Sequence, residues 1–178
     1  TTHNFAEAGI VKNTGEIAFT GSATNAGAVV YLGGLFSQVP ASVTTLVATD
    51  AFQLLNLGKV TFTGSVATPA NAHIGGLVGT TLSPINGAKC YCEMNVANGY
   101  TYGWITGSER VPATPLVLNC HLGGYKMEYD AWDESEREVP AFDGTNYHEY
   151  IYGNGINTDW TGTTNYDGCK YLPSSPLK

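Results

Sequence analysis

Apolar and polar positions alternate along this chain in short bursts, each closed by small residues. In Glu16-Ile-Ala-Phe-Thr20 the apolar Ile17 and Phe19 share one face, and Lys59-Val-Thr-Phe-Thr63 repeats the pattern. A period of two is the mark of a strand with one buried face. Gly21-Ser-Ala-Thr-Asn-Ala-Gly27 reads as a turn. Residues 28–36 read as a second strand interrupted at Gly33-Gly34, where a bulge or corner is expected. Pro40 closes that region, Thr44–Thr49 is a third strand, and Ala51–Leu55 is either a short helical turn or a fourth strand. The same order follows in strand Lys59–Thr63, turn Ser65–Asn71, Gly-Gly strand Ala72–Gly79 and strand Lys89–Asn95. Tyr102–Thr106 and Leu116–Gly124 continue it, and residues 1–12 form an entry segment or partial strand.

The bursts repeat as a unit. Asn13-Thr-Gly-Glu-Ile-Ala-Phe-Thr-Gly-Ser22 returns as Asn56-Leu-Gly-Lys-Val-Thr-Phe-Thr-Gly-Ser65 and, more loosely, as Gly99-Tyr-Thr-Tyr-Gly-Trp-Ile-Thr-Gly-Ser108. The Thr-Gly-Ser ends lie 43 residues apart both times. A strand with one apolar face cannot bury that face alone, and stacking like on like solves the problem. The expectation is therefore an all-β solenoid of about three 43-residue coils within one domain, residues 1–178. Its repeats are 13–55, 56–98 and 99–125, and an acidic, aromatic insertion and cap fills 126–178. Phe19, Phe62 and Ile105 form one expected column, and Leu32, Ile74 and Leu122 another. A β-trefoil or β-prism is the alternative, since both close after three units of this size. A partial fourth copy at Trp160-Thr-Gly-Thr163 and the insertion after Gly124 favour the open stack.

Composition narrows the function classes. Only 13% of the 178 residues are charged while 43% are hydrophobic, and 22 are glycine. That is too apolar for disorder and too rich in Gly, Thr, Val and Tyr for a helical protein. A net charge of −7 argues against nucleic acid, whose phosphates need basic surface. No run of about 18 apolar residues exists, so no membrane-inserted helix is expected. No signal peptide opens the sequence; if the protein is exported, that segment lies upstream or has been removed. Low charge with many Thr, Asn and Tyr residues suits an extracellular or outer cell-surface location, and the chain reads as a fragment of a longer secreted protein.

Four cysteines (Cys90, Cys92, Cys120, Cys169) lack the paired spacing and histidines of a zinc site. A Cys120–Cys169 disulfide stapling the cap, worth about 4 kcal/mol by loop entropy, competes with buried free thiols behaving as small hydrophobes. Cys90 and Cys92 share a face, two residues apart, and are read as poor partners for each other. His73 and His121 fall in one expected column, as a metal or sugar contact or as a plain exposed rung. Residues 126–143 hold seven of the 15 acidic residues. Ca²⁺, which takes six to eight oxygens, is one reading of this run, yet it lacks the Asp-x-Asp-x-Asp-Gly order of a dedicated loop. A solvated insertion is the simpler account, and no cofactor is assigned. Any two of these acids could also supply the carboxylate pair a glycosidase requires, and replacing Asp130 or Asp133 tests for it.

Ten of the eleven tyrosines and all three tryptophans lie beyond residue 90. Tyr129, Trp132, Tyr147, Tyr150, Tyr152 and Trp160 form either an aromatic plug over the open end of the stack or a platform for sugar rings.

Ile74-Gly-Gly-Leu-Val-Gly79 followed by Asn86-Gly-Ala-Lys-Cys-Tyr91 resembles the GLUG repeat of bacterial surface proteins. In that family a Gly-Leu-x-Gly core precedes an Asn-Gly turn and a strand ending in Asn-Cys-Tyr. Leu32-Gly-Gly-Leu-Phe36 matches in part, with Phe36-Ser37 where Val-Gly is expected, and Leu122-Gly-Gly124 departs at Tyr125. The resemblance covers roughly residues 13–124. It implies a right-handed parallel β-helix in a secreted or surface protein, adhesin-like and common in gut Bacteroidota, and brings no catalytic residues. The expected function is a non-enzymatic adhesin or stalk whose partners are glycans or surface proteins. A carbohydrate-active β-helix enzyme using the 126–143 acids is the second expectation, and a purely structural spacer the third.

Overall fold

The computed structural model describes residues 9–108, 116–122 and 170–171. Among them the only helical element is one 3₁₀ turn, Pro69–Asn71. The first pass of the chain carries β1 (Gly9–Asn13), β2 (Glu16–Phe19), β3 (Ser22–Ala23), β4 (Val30–Gly33), β5 (Phe36–Val39) and β6 (Leu46–Val47). A second pass carries β7 (Phe52–Asn56), β8 (Lys59–Phe62), β9 (Ser65–Val66), β10 (Ala72–Gly75), β11 (Val78–Thr81) and β12 (Ile85–Asn86). Then follow β13 (Lys89–Cys90), β14 (Glu93–Val96), β15 (Val117–Leu118), β16 (His121–Leu122) and β17 (Lys170–Tyr171).

Each strand pairs in parallel with the strand one pass away. The sheets run β1-β7-β13-β16-β17, β2-β8-β14, β3-β9, β4-β10, β5-β11 and β6-β12-β15, and none closes into a barrel. Parallel neighbours need a connection of a dozen or more residues. Here that connection consists of the other strands of the pass, so no crossover helix is required.

Several sequence expectations hold. The Gly-Gly strand breaks one residue beyond the expected Gly33-Gly34, at Gly34-Leu35, into β4 and β5, and its second copy breaks at the matching Gly76-Leu77 into β10 and β11. Residues 51–55 form a strand, β7, rather than a helical turn. Lys89–Asn95 divides at Tyr91-Cys92 into β13 and β14. For β1, β2 and β3 the register to the second pass is the expected 43 residues, with Glu16 opposite Lys59 and Ser22 opposite Ser65, and it falls to 42 for β4 and β5 and to 39 for β6.

The third repeat is where the expectation fails. Lys59 pairs with Glu93 and Phe62 with Val96, a step of 34 residues. Gly75 bridges to Gly103 and Val78 to Thr106, a step of 28. The offset falls from 42 to 39 residues between β11 and β12, to 34 between β12 and β13, and to 28 between β14 and Gly103. Gly103-Trp-Ile-Thr-Gly107 therefore lies beside Gly75-Gly-Leu-Val-Gly79, not beside the second decapeptide. Ile105 falls opposite Leu77, and the expected column Phe19–Phe62–Ile105 is in fact Phe19–Phe62–Val96. Backbone crowding explains why both segments keep their glycines. A Cβ on Gly107 would lie 2.3 Å from the backbone nitrogen of Ile74 and 2.5 Å from the Gly79 carbonyl. The 43-residue spacing of the third Thr-Gly-Ser is thus a coincidence of two different elements.

Two more columns are corrected. Leu32 does pair with Ile74, but Leu122 pairs with Cys90 in another sheet. His73 pairs with Tyr31, whereas His121 pairs with Lys89 and Lys170, so the two histidines are in different sheets.

Apolar side chains gather in two buried clusters. One centres on Leu54, Leu77, Ile85, Ile105 and Val117, the other on Val60, Phe62 and Ile74. Phe19 stacks on Phe62 with centroids 5.1 Å apart, and Tyr100 tilts onto the same ring at 4.7 Å.

Candidate functional site

The residues with the greatest chemical content cluster around the second glycine of each Gly-Gly pair. Asn13 and Asn56, the first residues of the two decapeptides, are register partners in β1 and β7. Asn13 Nδ2 donates to Asn56 Oδ1 at 3.1 Å. Asn56 is fully buried; its Oδ1 also accepts from the Gly58 amide at 3.0 Å, and its Nδ2 donates to the Gly76 carbonyl. In the first pass the Asn13 Oδ1 takes the Gly15 amide at 2.9 Å in the same way. Each asparagine thus satisfies the turn that follows its strand, and their side chains join the two turns. Gly34 leaves the space: a Cβ there would overlap the Asn56 amide.

One strand further, Cys90 takes the place of the asparagine, as partner of Asn56. The corner at Tyr91-Cys92 brings Cys90 Sγ and Cys92 Sγ to 3.4 Å, and Cys92 Sγ lies 3.5 Å from Met94 Sδ. On a straight strand, side chains at i and i+2 share a face but stand apart by about 6.5–7 Å. Cys90 and Cys92 share a face, as the sequence suggests, and the corner brings them closer than a straight strand would while both remain free thiols. Burial, and then the facing Cys92, push the Cys90 thiol well above its ordinary range. Between them Tyr91 is buried, with its hydroxyl lacking a hydrogen-bond partner among the described residues. Burial and the charge of Cys90 push that hydroxyl up to about 12.

Ladders on the other sheets use their polar groups on one another. Glu16, Lys59 and Glu93 alternate in charge along one row, with Lys59 Nζ 2.9 Å from Glu93 Oε1. The hydrogen bond and charge of Glu93 raise Lys59 above the usual ammonium range. Tyr31 and His73 stack at 5.2 Å, and His73 Nδ1 lies 3.3 Å from the Gly107 carbonyl. Ser108 Oγ meets Thr80 Oγ1 at 2.7 Å and accepts from the Thr81 amide at 2.7 Å inside the protein.

Tyr129, Trp132, Tyr147, Tyr150, Tyr152 and Trp160 lie outside the described residues, as do the acidic residues of 126–143. Cys169 does too, and with it the Cys120–Cys169 pairing; Cys90, Cys92 and Cys120 are buried. Among the described residues no group of three or more His, Cys, Asp or Glu side chains is arranged to hold a metal, and no helix is long and apolar enough to cross a membrane. The asparagine ladder was visible as the repeated first letter of the decapeptide. The sulfur group had a weaker signal, a Cys-x-Cys-x-Met run at alternate positions. No family model, no curated protein and no solved structure matches this chain.

Proposed function

We propose that this chain is part of a right-handed parallel β-helix in a secreted or cell-surface protein, of the GLUG-repeat type, and serves as a non-enzymatic stalk or adhesive surface. The observation that carries this reading is the repeated sheet order. Six parallel sheets receive one strand each from successive passes, in the same sequence, with Glu16–Phe19, Lys59–Phe62 and Glu93–Val96 in unbroken register. Handedness follows from the strong preference of parallel crossovers for the right-handed path. The GLUG resemblance gains a physical rationale, since its glycines sit at backbone contacts and its Asn-Gly turn places Gly87 at φ 77°.

The polar groups of the ladders are engaged with one another, which suits a rigid spacer that presents a surface. A glycan array probed with the full chain, together with polysaccharide digestion assays, tests the reading. Binding to a surface glycan without turnover supports it. Release of oligosaccharide product by the wild-type chain, lost in Asp130→Asn or Asp133→Asn, overturns it in favour of a carbohydrate-active enzyme.

A further inference from the structure

Cys90, Cys92 and Met94 place three sulfur atoms in one chain of contacts at the corner between β13 and β14. The two Sγ atoms are 3.4 Å apart, and Met94 Sδ is 3.5 Å from Cys92 Sγ. Both cysteines are fully buried, while Met94 is partly exposed and opens the group toward the surface. Gly76 makes the room: a Cβ there would sit 2.8 Å from Cys90 Sγ and 2.9 Å from Cys92 Sγ. We propose that Cys90, Cys92 and Met94 form a site for one soft monovalent cation, Cu(I), held by two thiolates and a thioether.

Ligand chemistry selects the ion. Thiolate and thioether sulfur favour Cu(I), whereas zinc sites are completed by further cysteines, histidines or carboxylates, and no such cluster exists among the described residues. Cys90 and Cys92 are separate thiols, and Met94, which packs against both apolar clusters, holds its thioether 3.5 Å from Cys92 Sγ as a third soft donor. Binding balances without electron transfer: Cu(I) enters, each thiol releases one proton to solvent, and the complex carries one net negative charge.

The test is an anaerobic titration of the reduced full chain with Cu(I) against a coloured Cu(I) chelator, repeated with Ag(I) as a redox-inert probe. One equivalent per chain is expected, with X-ray absorption showing sulfur ligands only. Cys92→Ser abolishes uptake, Met94→Leu weakens it at least about tenfold, the loss typical of even an outer-sphere partner, and Cys120→Ser leaves it unchanged. Far-UV circular dichroism confirms that each variant keeps its β-signal, and Cys92→Ala replaces any serine variant that does not fold. The site is overturned if the wild-type chain leaves all metal on the chelator, or if the spectrum shows nitrogen or oxygen ligands. Undiminished binding by the cysteine variant or by Met94→Leu overturns it as well.

Discussion

Gly76 shows how much a single missing methyl decides here. A Cβ at this position would meet the Trp104 carbonyl at 2.3 Å as well as both sulfur atoms. Backbone on one side and a buried corner on the other leave little freedom to relax, so Gly76→Ala is expected to cost about 3 kcal/mol, the upper end for overpacking. Gly21 has nothing within 4 Å of the same atom, and Gly21→Ala should be neutral or stabilising by up to about 1 kcal/mol through the unfolded chain. Urea midpoints at constant m-value read both; equal effects would refute the close packing at the corner. Asn56 supports a second contrast. Asn56→Ala strands the Gly58 amide and the Gly76 carbonyl in the interior, each worth about 1–3 kcal/mol, for a combined loss of roughly 3 kcal/mol. Asn13, at the more open end of the ladder, should lose no more than about 1.5 kcal/mol on replacement by alanine. A ladder without structural weight would show the two alanines alike.

Strands are where the sequence was most and least legible. Alternation located β2 and β8, and the Gly-Gly pairs located the corners, because both are dictated by local sterics that leave a trace in residue type. Register between the second and third passes left no such trace. Gly103-Trp-Ile-Thr-Gly107 resembles the decapeptide in letters, yet the loops before it are shorter, and loop length rather than letter matching sets which strands meet. The cysteine corner was missed for a similar reason: the fold at Tyr91-Cys92 is a three-dimensional bend inside an otherwise strand-like run. The revised register makes a direct prediction. Leu77 and Ile105, now neighbours and both fully buried, should couple by about 0.5–3 kcal/mol in a double-mutant cycle of alanine substitutions. Phe62 and Ile105, in separate clusters, should be additive to within about 0.5 kcal/mol. Coupling of the Phe62 pair in place of the Leu77 pair would restore the 43-residue column.

Across the molecule, burial rises from the first pass to the second along the same rows. Ile17 is 38% exposed, while its partner Val60 is completely buried, and partly buried Phe19 faces fully buried Phe62. Strand β8 is hydrogen-bonded into a sheet with a neighbour on each side, whereas β2 has one neighbour among the described residues. A core built by repetition is sealed only where another strand row lies on both sides, so stability should follow position along the row more than residue type. Phe62→Ala is accordingly expected to cost about 3–5 kcal/mol as a buried cavity, and Phe19→Ala clearly less, although the two rings occupy the same place in the repeat. Native-state hydrogen exchange makes the same comparison without mutation: amides of Lys59–Phe62 should open only with global unfolding, and those of Glu16–Phe19 at a lower free energy. Equal protection in the two strands would mean that the open side of β2 is covered in solution, and dilution would tell how: protection that falls with protein concentration would identify a second copy of the chain as the cover.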